Sequence, residues 1–252
     1  METSGRCGRR GADGTSRTPS TADPAIVTNA VVDWLLDAGS DPAIRWQVLA
    51  DLVGAPPDEW RDERRRIETE GFGARLLALR DPDGQWAGGA YFPADFDFEG
   101  PEAAPGTGQP WAATTHSLSQ LRRFGLDPDT EVARSMVDLI GRNARWEEGG
   151  QPYWDGEVEP CINGITVANG AYFGVDVTPI VDRLLGERLP DGVWNCEAIH
   201  GSTRSSFDTT INVLEGLLAH DDVVRLLARV SVVASGDTGM QTGYQSMGQT
   251  IG

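Results

Sequence analysis

A turn of the form glycine, any residue, tryptophan occurs twice in this chain, each time after one helix-forming stretch and before another. The clean copies are Gly84-Gln85-Trp86 and Gly192-Val193-Trp194, and a degenerate copy runs from Gly150 to Trp154. The helices after these turns are predicted to begin near residues 112, 162 and 208, which are almost evenly spaced. Such spacing is typical of stacked helix pairs, because one pair cannot bury its apolar face alone. With almost no strand pattern, the sequence predicts an all-α fold built from helix-pair repeats.

The repeat occupies only part of the chain. Residues 1–22 are small, polar and without periodicity, so we expect a disordered N-terminal segment there. Residues 23–230 are expected to form the helical repeat domain. Residues 231–252 are polar again and are expected to be a disordered tail.

The charge of the chain excludes several classes of partner and chemistry. Its 252 residues include 38 acidic and 21 basic side chains, for a formal net charge of −17. Binding to nucleic acid and docking on an anionic membrane both depend on clustered cations, so neither is expected. Lysine is absent, which excludes Schiff-base and P-loop lysine chemistry.

Targeting signals are also missing from the sequence. No apolar run approaches the ~20 residues of a membrane-spanning helix, and no apolar segment of a signal peptide follows Arg9-Arg10. The three cysteines, Cys7, Cys161 and Cys196, are too few for a secreted disulfide framework. We therefore expect a soluble, cytoplasmic protein without a transmembrane segment.

Three stretches carry a resemblance to a known superfamily: WLLDAGSDPAIRWQVLADL, GFGARLLALRDPDGQWAGG and DGVWNCEAIHGSTRSSFDTTINVLEGL. With their glycine-tryptophan turns they resemble the α/α-toroid superfamily of squalene and terpenoid cyclases and protein prenyltransferase β-subunits. The likeness is greatest to actinobacterial proteins labelled squalene cyclase-like, over about residues 25–220. It implies a toroid in which each turn joins an outer to an inner helix. It also implies a central cavity that binds an isoprenoid or another apolar ligand.

The chain departs from that superfamily in its catalytic motifs and its length. Class II cyclases carry an Asp-x-Asp-Asp motif, to which the nearest strings here are Asp95-Phe96-Asp97 and the single Asp208. The prenyltransferase zinc pattern places Asp two residues before a Cys, whereas Trp194 stands two residues before Cys196. The helical pattern also stops near residue 220, too early to close a ring. We therefore expect an incomplete toroid, from a truncated or frame-altered copy, with no catalytic residue carried over.

Three residues are candidates for acid-base chemistry. Asp208 is the nearest equivalent of a cyclase acid, but it also stands where an N-cap would precede the helix TTINVL, and such a position favours the ionised carboxylate. A proton donor to an alkene must instead keep its carboxyl group protonated, which requires a raised pKa. A neighbouring negative charge raises the pKa of a carboxyl group, and Glu197 could supply that charge. His116 lies on a polar helix face that would look into the cavity if that helix lines the ring. The alternative is a structural role for each.

Aromatic residues are concentrated around the predicted turns and inner helices. The candidates for ligand contact are Trp111, Trp154, Trp194, Tyr172 and Phe173. Aromatic faces attract cations within about 6 Å, as a carbocation cyclase requires. The alternative is that turn tryptophans fill the gaps between helix layers.

A metal site is the remaining candidate. Cys161 and Cys196 both lie at the approach to a post-turn helix, one repeat apart, so neighbouring repeats could bring them together with His200 or His116 as a third ligand. Zinc favours such sets. The chain has no Cys-x-x-Cys pair, and free cysteine is often a small buried hydrophobe. We therefore expect no resident cofactor, with zinc as the alternative.

Two functions are consistent with these patterns. The first is a terpenoid cyclase-like protein that binds an apolar small molecule such as an isoprenoid, with catalysis left open because the acid motif is missing. The second is a non-catalytic helical-repeat scaffold that binds a protein partner. A retained lipid would favour the first, and a co-purifying protein the second.

Overall fold

The computed structural model describes the backbone of residues 29–104 and 110–234, and side chains over residues 30–104 and 110–221. Its α-helices are α1 (Asn29–Leu35), α2 (Pro42–Gln47), α3 (Pro57–Arg65), α4 (Gly71–Ala78), α5 (Thr114–Phe124), α6 (Glu131–Asn143), α7 (Pro160–Tyr172), α8 (Thr178–Gly186) and α9 (Phe207–Ala234). Short 3₁₀ segments lie at Arg66–Glu68, Pro101–Ala103, Tyr153–Asp155 and Cys196–His200, and a π-helical segment at Val48–Val53.

The described ranges contain no strand, only two isolated β-bridges, so the predicted all-α class is confirmed. The segment 1–22 and residues 235–252 of the tail, both expected to be disordered, lie outside the described residues. The expected tail began at residue 231, but residues 231–234 belong to α9, because the helix continues through the apolar stretch that precedes the polar tail. Across the part that is described, no helix combines the length and the apolar composition that crossing a bilayer requires.

The start of α2 shows how local sequence sets a helix boundary. Asp41 is the N-cap, with its Oδ1 accepting the backbone N–H of Ala43 at 2.9 Å, and Pro42 occupies the first helical position. The second carboxylate oxygen of Asp41 accepts from the backbone N–H of Phe72 at 2.7 Å. One side chain therefore caps α2 and fixes the start of α4 beside it. The π-helical segment that continues α2 ends at Gly54, which is left-handed with φ 65°.

The two clean glycine-tryptophan turns hold their tryptophans to the preceding helix in the same way. The indole N–H of Trp86 donates to the Leu76 carbonyl at 2.8 Å, and that of Trp194 donates to the Leu184 carbonyl at 2.7 Å. In both turns the acceptor lies ten residues earlier in the chain. Both tryptophans are buried. Each indole is therefore a second donor to a carbonyl in the last turn of a helix, which also accepts the backbone N–H of Leu79 or of Glu187.

Each of these turns is also tied to the helix that follows it. The backbone N–H of Trp86 donates to the Thr114 hydroxyl at 3.2 Å, and that of Trp194 to the Thr210 hydroxyl at 3.4 Å. The turn glycines, Gly84 and Gly192, have φ of 98° and 99°. A residue with a Cβ is disfavoured at such φ values, which explains the glycine in both copies.

The middle turn is built differently. Its tryptophan, Trp154, donates through the indole N–H to the Val137 carbonyl in α6 at 3.4 Å, and this acceptor lies seventeen residues back. The extra length holds a small hairpin in which the ring of Trp146 stacks on Tyr153, with centroids 4.7 Å apart. The indole N–H of Trp146 donates to the Tyr153 carbonyl at 2.9 Å. The middle turn therefore adds side-chain stacking to a glycine turn, in which Gly150 has a φ of 67°.

Helix α7 contacts α5, α8 and α9, and it packs most closely against α9. At the crossing with α9, a Cβ built on Gly164 would stand 2.4 Å from the Asn212 carbonyl oxygen, and one built on Gly216 would stand 2.3 Å from the Gly164 oxygen. Two glycines thus allow the backbones of α7 and α9 to touch. Because Trp194 of the third turn is hydrogen-bonded to Thr210 in α9, this contact also holds the third turn near α7.

Candidate functional site

One cavity of about 400 Å³ receives side chains from three helices that each follow a turn. Its walls come from α5, α7, α9 and the loop before α5: Tyr91, Trp111, His116, Ser119, Gln120, Arg122, Arg123, Ile165, Asn212 and Glu215. We call it the inner cavity. Its volume falls within the range of about 300–1,000 Å³ that is usual for small-molecule sites.

His116 lies at the aromatic end of the inner cavity and is only 7% exposed. Its ring centroid is 4.6 Å from that of Tyr91 and 4.8 Å from that of Trp111. Burial disfavours the imidazolium and lowers the pKa of His116, and the hydrogen bond of its Nε2 with the Tyr91 carbonyl at 3.2 Å only partly opposes this. With Tyr91 and Trp111, the neutral imidazole of His116 forms a largely apolar surface of the cavity wall, in which the ring nitrogens are the polar atoms of the imidazole.

The opposite end of the inner cavity is charged and hydrogen-bonded. Arg122 donates through Nη2 to Glu215 Oε1 at 2.7 Å, which links α5 to α9, and through Nε to Asn169 Oδ1 at 3.2 Å. The buried Asn169 also bonds Ser119. Arg123 lines the cavity as well, but its side chain is exposed. The wall is therefore apolar at one end and polar at the other.

Of the five aromatic residues predicted to contact a ligand, Trp111 lines the inner cavity. Trp194 and Trp154 are hydrogen-bonded to α8 and α6 instead. Tyr172 donates its hydroxyl to the Leu126 carbonyl at 2.8 Å, and burial raises its pKa. Phe173 is buried with its ring edge-on to Tyr172, at 4.9 Å between centroids. These four rings line neither this cavity nor the second one described below.

The two predicted acidic residues are both exposed. Helix α9 begins at Phe207, and Ser206 occupies the N-cap, with its hydroxyl accepting the backbone N–H of Thr209 at 3.4 Å. Asp208 was expected to be the N-cap, but it lies in the first turn, two positions past the cap, where the helix dipole still favours a carboxylate. Glu197 lies in the 3₁₀ segment before α9. Neither lines the inner cavity.

A second cavity, of about 450 Å³, lies beside the first and combines aromatic with acidic walls. It is lined by Tyr91, Phe92, Phe98, Glu147, Glu148, Glu157, Glu159 and Ile162, and we call it the outer cavity. Glu147 Oε1 accepts the backbone N–H groups of Tyr91 and Phe92, so part of its charge serves to hold the loop. Burial raises the pKa of Glu157.

Cys161 and Cys196 meet beside the outer cavity. Their Sγ atoms are 2.8 Å apart, and Glu159 Oε2 is 3.5 Å from the sulfur of Cys161. The hydrogen bond between the thiols raises the pKa of Cys161 and lowers that of Cys196, so Cys196 loses its proton first. One ligand atom from each of Glu159, Cys161 and Cys196 lies within 4.8 Å of the other two.

His200 and His116, the expected third ligands, are not part of this group. His200 is exposed at the end of the 3₁₀ segment, and His116 is in the inner cavity. The sequence interpretation missed Glu159, although a signal was present. Pro160 begins α7, so Glu159 is the residue just before the helix and Cys161 the residue just inside it. Two residues on either side of a helix start are brought close by the first turn.

Comparison with models of known protein families, with curated proteins and with solved structures finds no match to this chain.

Proposed function

We propose that the helix pairs form an incomplete α/α toroid whose inner helices, α5, α7 and α9, enclose a ligand-binding chamber. The observation that carries this proposal is that all three helices contribute side chains to the inner cavity. Contacts of α5 with α7 and of α7 with α9 support it, because they make the three helices consecutive neighbours. The shared hydrogen bonds of the first and third turns support a repeated unit as well.

The lining favours a ligand with an apolar body and an anionic head. Tyr91 and Trp111 offer ring surface at one end, and Arg122 and Arg123 offer guanidinium groups at the other. A purely apolar ligand would desolvate these charges, at a cost of several kcal/mol for each ion. A phosphate or diphosphate head would instead accept charge-assisted hydrogen bonds from them. An isoprenoid phosphate therefore suits the chamber better than an isoprenoid hydrocarbon does.

The proposal concerns binding and leaves out catalysis. Asp208 and Glu197 are exposed and lie outside the cavity wall, and His116 is held neutral by burial. A cyclase that begins by protonating an alkene needs a strong acid in contact with its substrate. Among the described residues of the inner cavity, the one carboxyl group is that of Glu215, which is paired with Arg122.

Isothermal titration calorimetry with three probes tests this function: farnesyl diphosphate, farnesol without the head, and inorganic pyrophosphate without the tail. We expect farnesyl diphosphate to bind most tightly. Trp111→Ala and Arg123→Gln should each weaken it about 10-fold, a loss of about 1.4 kcal/mol. Trp34→Ala is the matched control, because Trp34 is 71% exposed, Trp111 is 69% exposed, and only Trp111 lines the inner cavity.

The function is refuted if none of the three probes binds. It is also refuted if Trp111→Ala and Trp34→Ala behave alike. Circular dichroism of each variant separates lost binding from lost folding, and both substituted tryptophans are exposed, so no change of fold is expected.

A second candidate function, a scaffold for a protein partner, is favoured by one observation. Helix α9 exposes Phe207, Ile211, Leu214 and Leu218 at spacings of three and four residues, and Phe207 is 96% exposed. These positions share one helix face. Native mass spectrometry of the protein from a cell lysate distinguishes the two candidate functions. The ligand-binding chamber predicts a retained small molecule. The scaffold predicts a bound protein chain, which should be lost in a Leu214→Asp variant.

A further inference from the structure

The contact between Cys161 and Cys196 joins two different helix pairs. Cys161 is the second residue of α7, and Cys196 is the first residue of the 3₁₀ segment that leads into α9. Both thiols are half-buried, and neither is in a disulfide. The glycine crossing holds α7 close to α9. The backbone N–H of Cys196 donates to the Thr209 hydroxyl in α9, which brings the 3₁₀ segment to that crossing.

Surrounding groups orient both cysteines. The Thr209 hydroxyl is 3.4 Å from Cys196 Sγ and accepts the backbone N–H of Cys196 at 3.2 Å. Thr209 is itself buried. On the other side, Glu159 is half-buried and also lines the outer cavity. Thr209 therefore holds Cys196 in place, and Glu159 adjoins the outer cavity.

We propose that Glu159, Cys161 and Cys196 bind a thiophilic divalent cation, zinc in the first instance, through one carboxylate oxygen and two thiolates. Zinc prefers four tetrahedral ligands drawn from sulfur, nitrogen and oxygen, and sites with three protein ligands keep the fourth position for water or a substrate. Of the three proposed ligands, Glu159 also lines the outer cavity. Soft thiolates disfavour magnesium and calcium, which prefer oxygen ligands.

The distances suit this ion with a small adjustment. A carboxylate oxygen and a sulfur on one tetrahedral zinc stand about 3.6 Å apart, close to the 3.5 Å between Glu159 Oε2 and Cys161 Sγ. Two thiolates on one zinc stand about 3.8 Å apart, so the sulfur atoms, now at 2.8 Å, would separate by side-chain rotation. Each bound Zn²⁺ replaces two thiol protons, which pass to solvent, and no electrons are transferred.

Metal analysis of the reduced full chain tests this site. After equilibration with Zn²⁺ and removal of the free ion, we expect one zinc per chain in the wild type. Loading with Co²⁺ should give the near-ultraviolet thiolate-to-cobalt charge-transfer band and visible bands of tetrahedral intensity. Cys161→Ser and Cys196→Ser should abolish both signals, and Glu159→Gln should weaken zinc binding at least 10-fold.

His200→Asn and Glu197→Gln are matched controls, because both residues lie within four positions of Cys196 but outside the ligand group. They should bind zinc as the wild type does. The absence of zinc from the wild type, or an unchanged zinc affinity in Glu159→Gln, would overturn the proposal. So would a thiol titration that finds Cys161 and Cys196 still joined in a disulfide after treatment with a reducing agent. If a cysteine variant does not fold, the Glu159→Gln comparison still decides.

The metal analysis uses no isoprenoid, and the three residues proposed to bind zinc lie outside the inner cavity. Failure of one proposal therefore leaves the other standing.

Discussion

The close crossing of α7 and α9 makes Gly164→Ala the most informative single substitution in this chain. The new Cβ would stand 2.4 Å from the Asn212 oxygen, 2.6 Å from the Asn212 carbonyl carbon and 2.7 Å from the Val213 Cα. All three atoms belong to backbone, so no side chain can rotate away. To restore van der Waals contact, the two helices must move apart by about 1 Å.

The magnitude follows from two opposing terms. Overpacking of a buried contact costs typically 1–3 kcal/mol, and we take about 3 because the obstacle is backbone. Alanine is better than glycine in a helix by about 1 kcal/mol, which offsets part of this cost. We therefore expect the free energy of unfolding to fall by about 2 kcal/mol. For a chain of this size that lowers the melting temperature by about 4–8 °C.

Urea unfolding followed by far-ultraviolet circular dichroism measures the effect. Gly186→Ala is the matched control, because Gly186 is the last residue of α8, is exposed, and has open space where its Cβ would be. We expect it to be neutral or to stabilise by up to about 1 kcal/mol. Equal stability of Gly164→Ala and the wild type, or equal losses in the two variants, would show that α7 and α9 do not touch as described.

Two further substitutions test the turn and the cavity. Trp194→Phe removes the indole N–H that donates to the Leu184 carbonyl. That carbonyl keeps the backbone N–H of Glu187 as a donor, so we expect a loss of about 1 kcal/mol in the same urea assay. The exposed Trp111→Phe should lose less than about 0.5 kcal/mol, and equal losses in the two variants would argue against the bond. Burial lowers the pKa of His116, so the unfolded chain binds its proton more readily, and stability should fall as the pH drops below about 6.5 and level off below the folded-state pKa. Proton NMR titration should place the folded-state pKa of His116 below 6.5. The His116→Gln variant should lose less stability at acidic pH than the wild type does. A folded-state pKa above 6.5 would contradict the burial of His116.

The helix boundaries and the turns agree with local sequence signals, because each of these signals acts within a few residues. Asp41 and Pro42 begin α2 as their cap and first-turn preferences require. Gly84 and Gly192 have the positive φ that the turn motif predicts. The all-α class follows from the same short-range periodicity. The start of α9 was misplaced by two residues, because Ser206 and Asp208 are both good N-caps and local preference alone does not separate them.

The candidate site was harder to predict, because its composition depends on which helix faces meet. Aromatic residue type alone did not distinguish Trp111, which lines the cavity, from Trp154 and Trp194, whose indoles donate to carbonyls of α6 and α8. The same is true of the thiol group. Placing Cys161 near Cys196 needs only the repeat spacing. To identify Glu159 as the third member of the group in place of His200, one must also know how the chain runs just before α7 and just before α9.

The loop between Trp86 and α5 links the two cavities. Glycine and proline make this segment resemble an insertion without structure of its own, yet three phenylalanines in its described part, Phe92, Phe96 and Phe98, pack against one another at centroid distances of 4.9–5.0 Å. Glu147 anchors the loop by accepting the backbone N–H groups of Tyr91 and Phe92. Tyr91 consequently lines both cavities. A ligand that displaces the Tyr91 ring in the inner cavity would therefore alter the wall of the outer cavity, onto which the proposed metal ligand Glu159 opens.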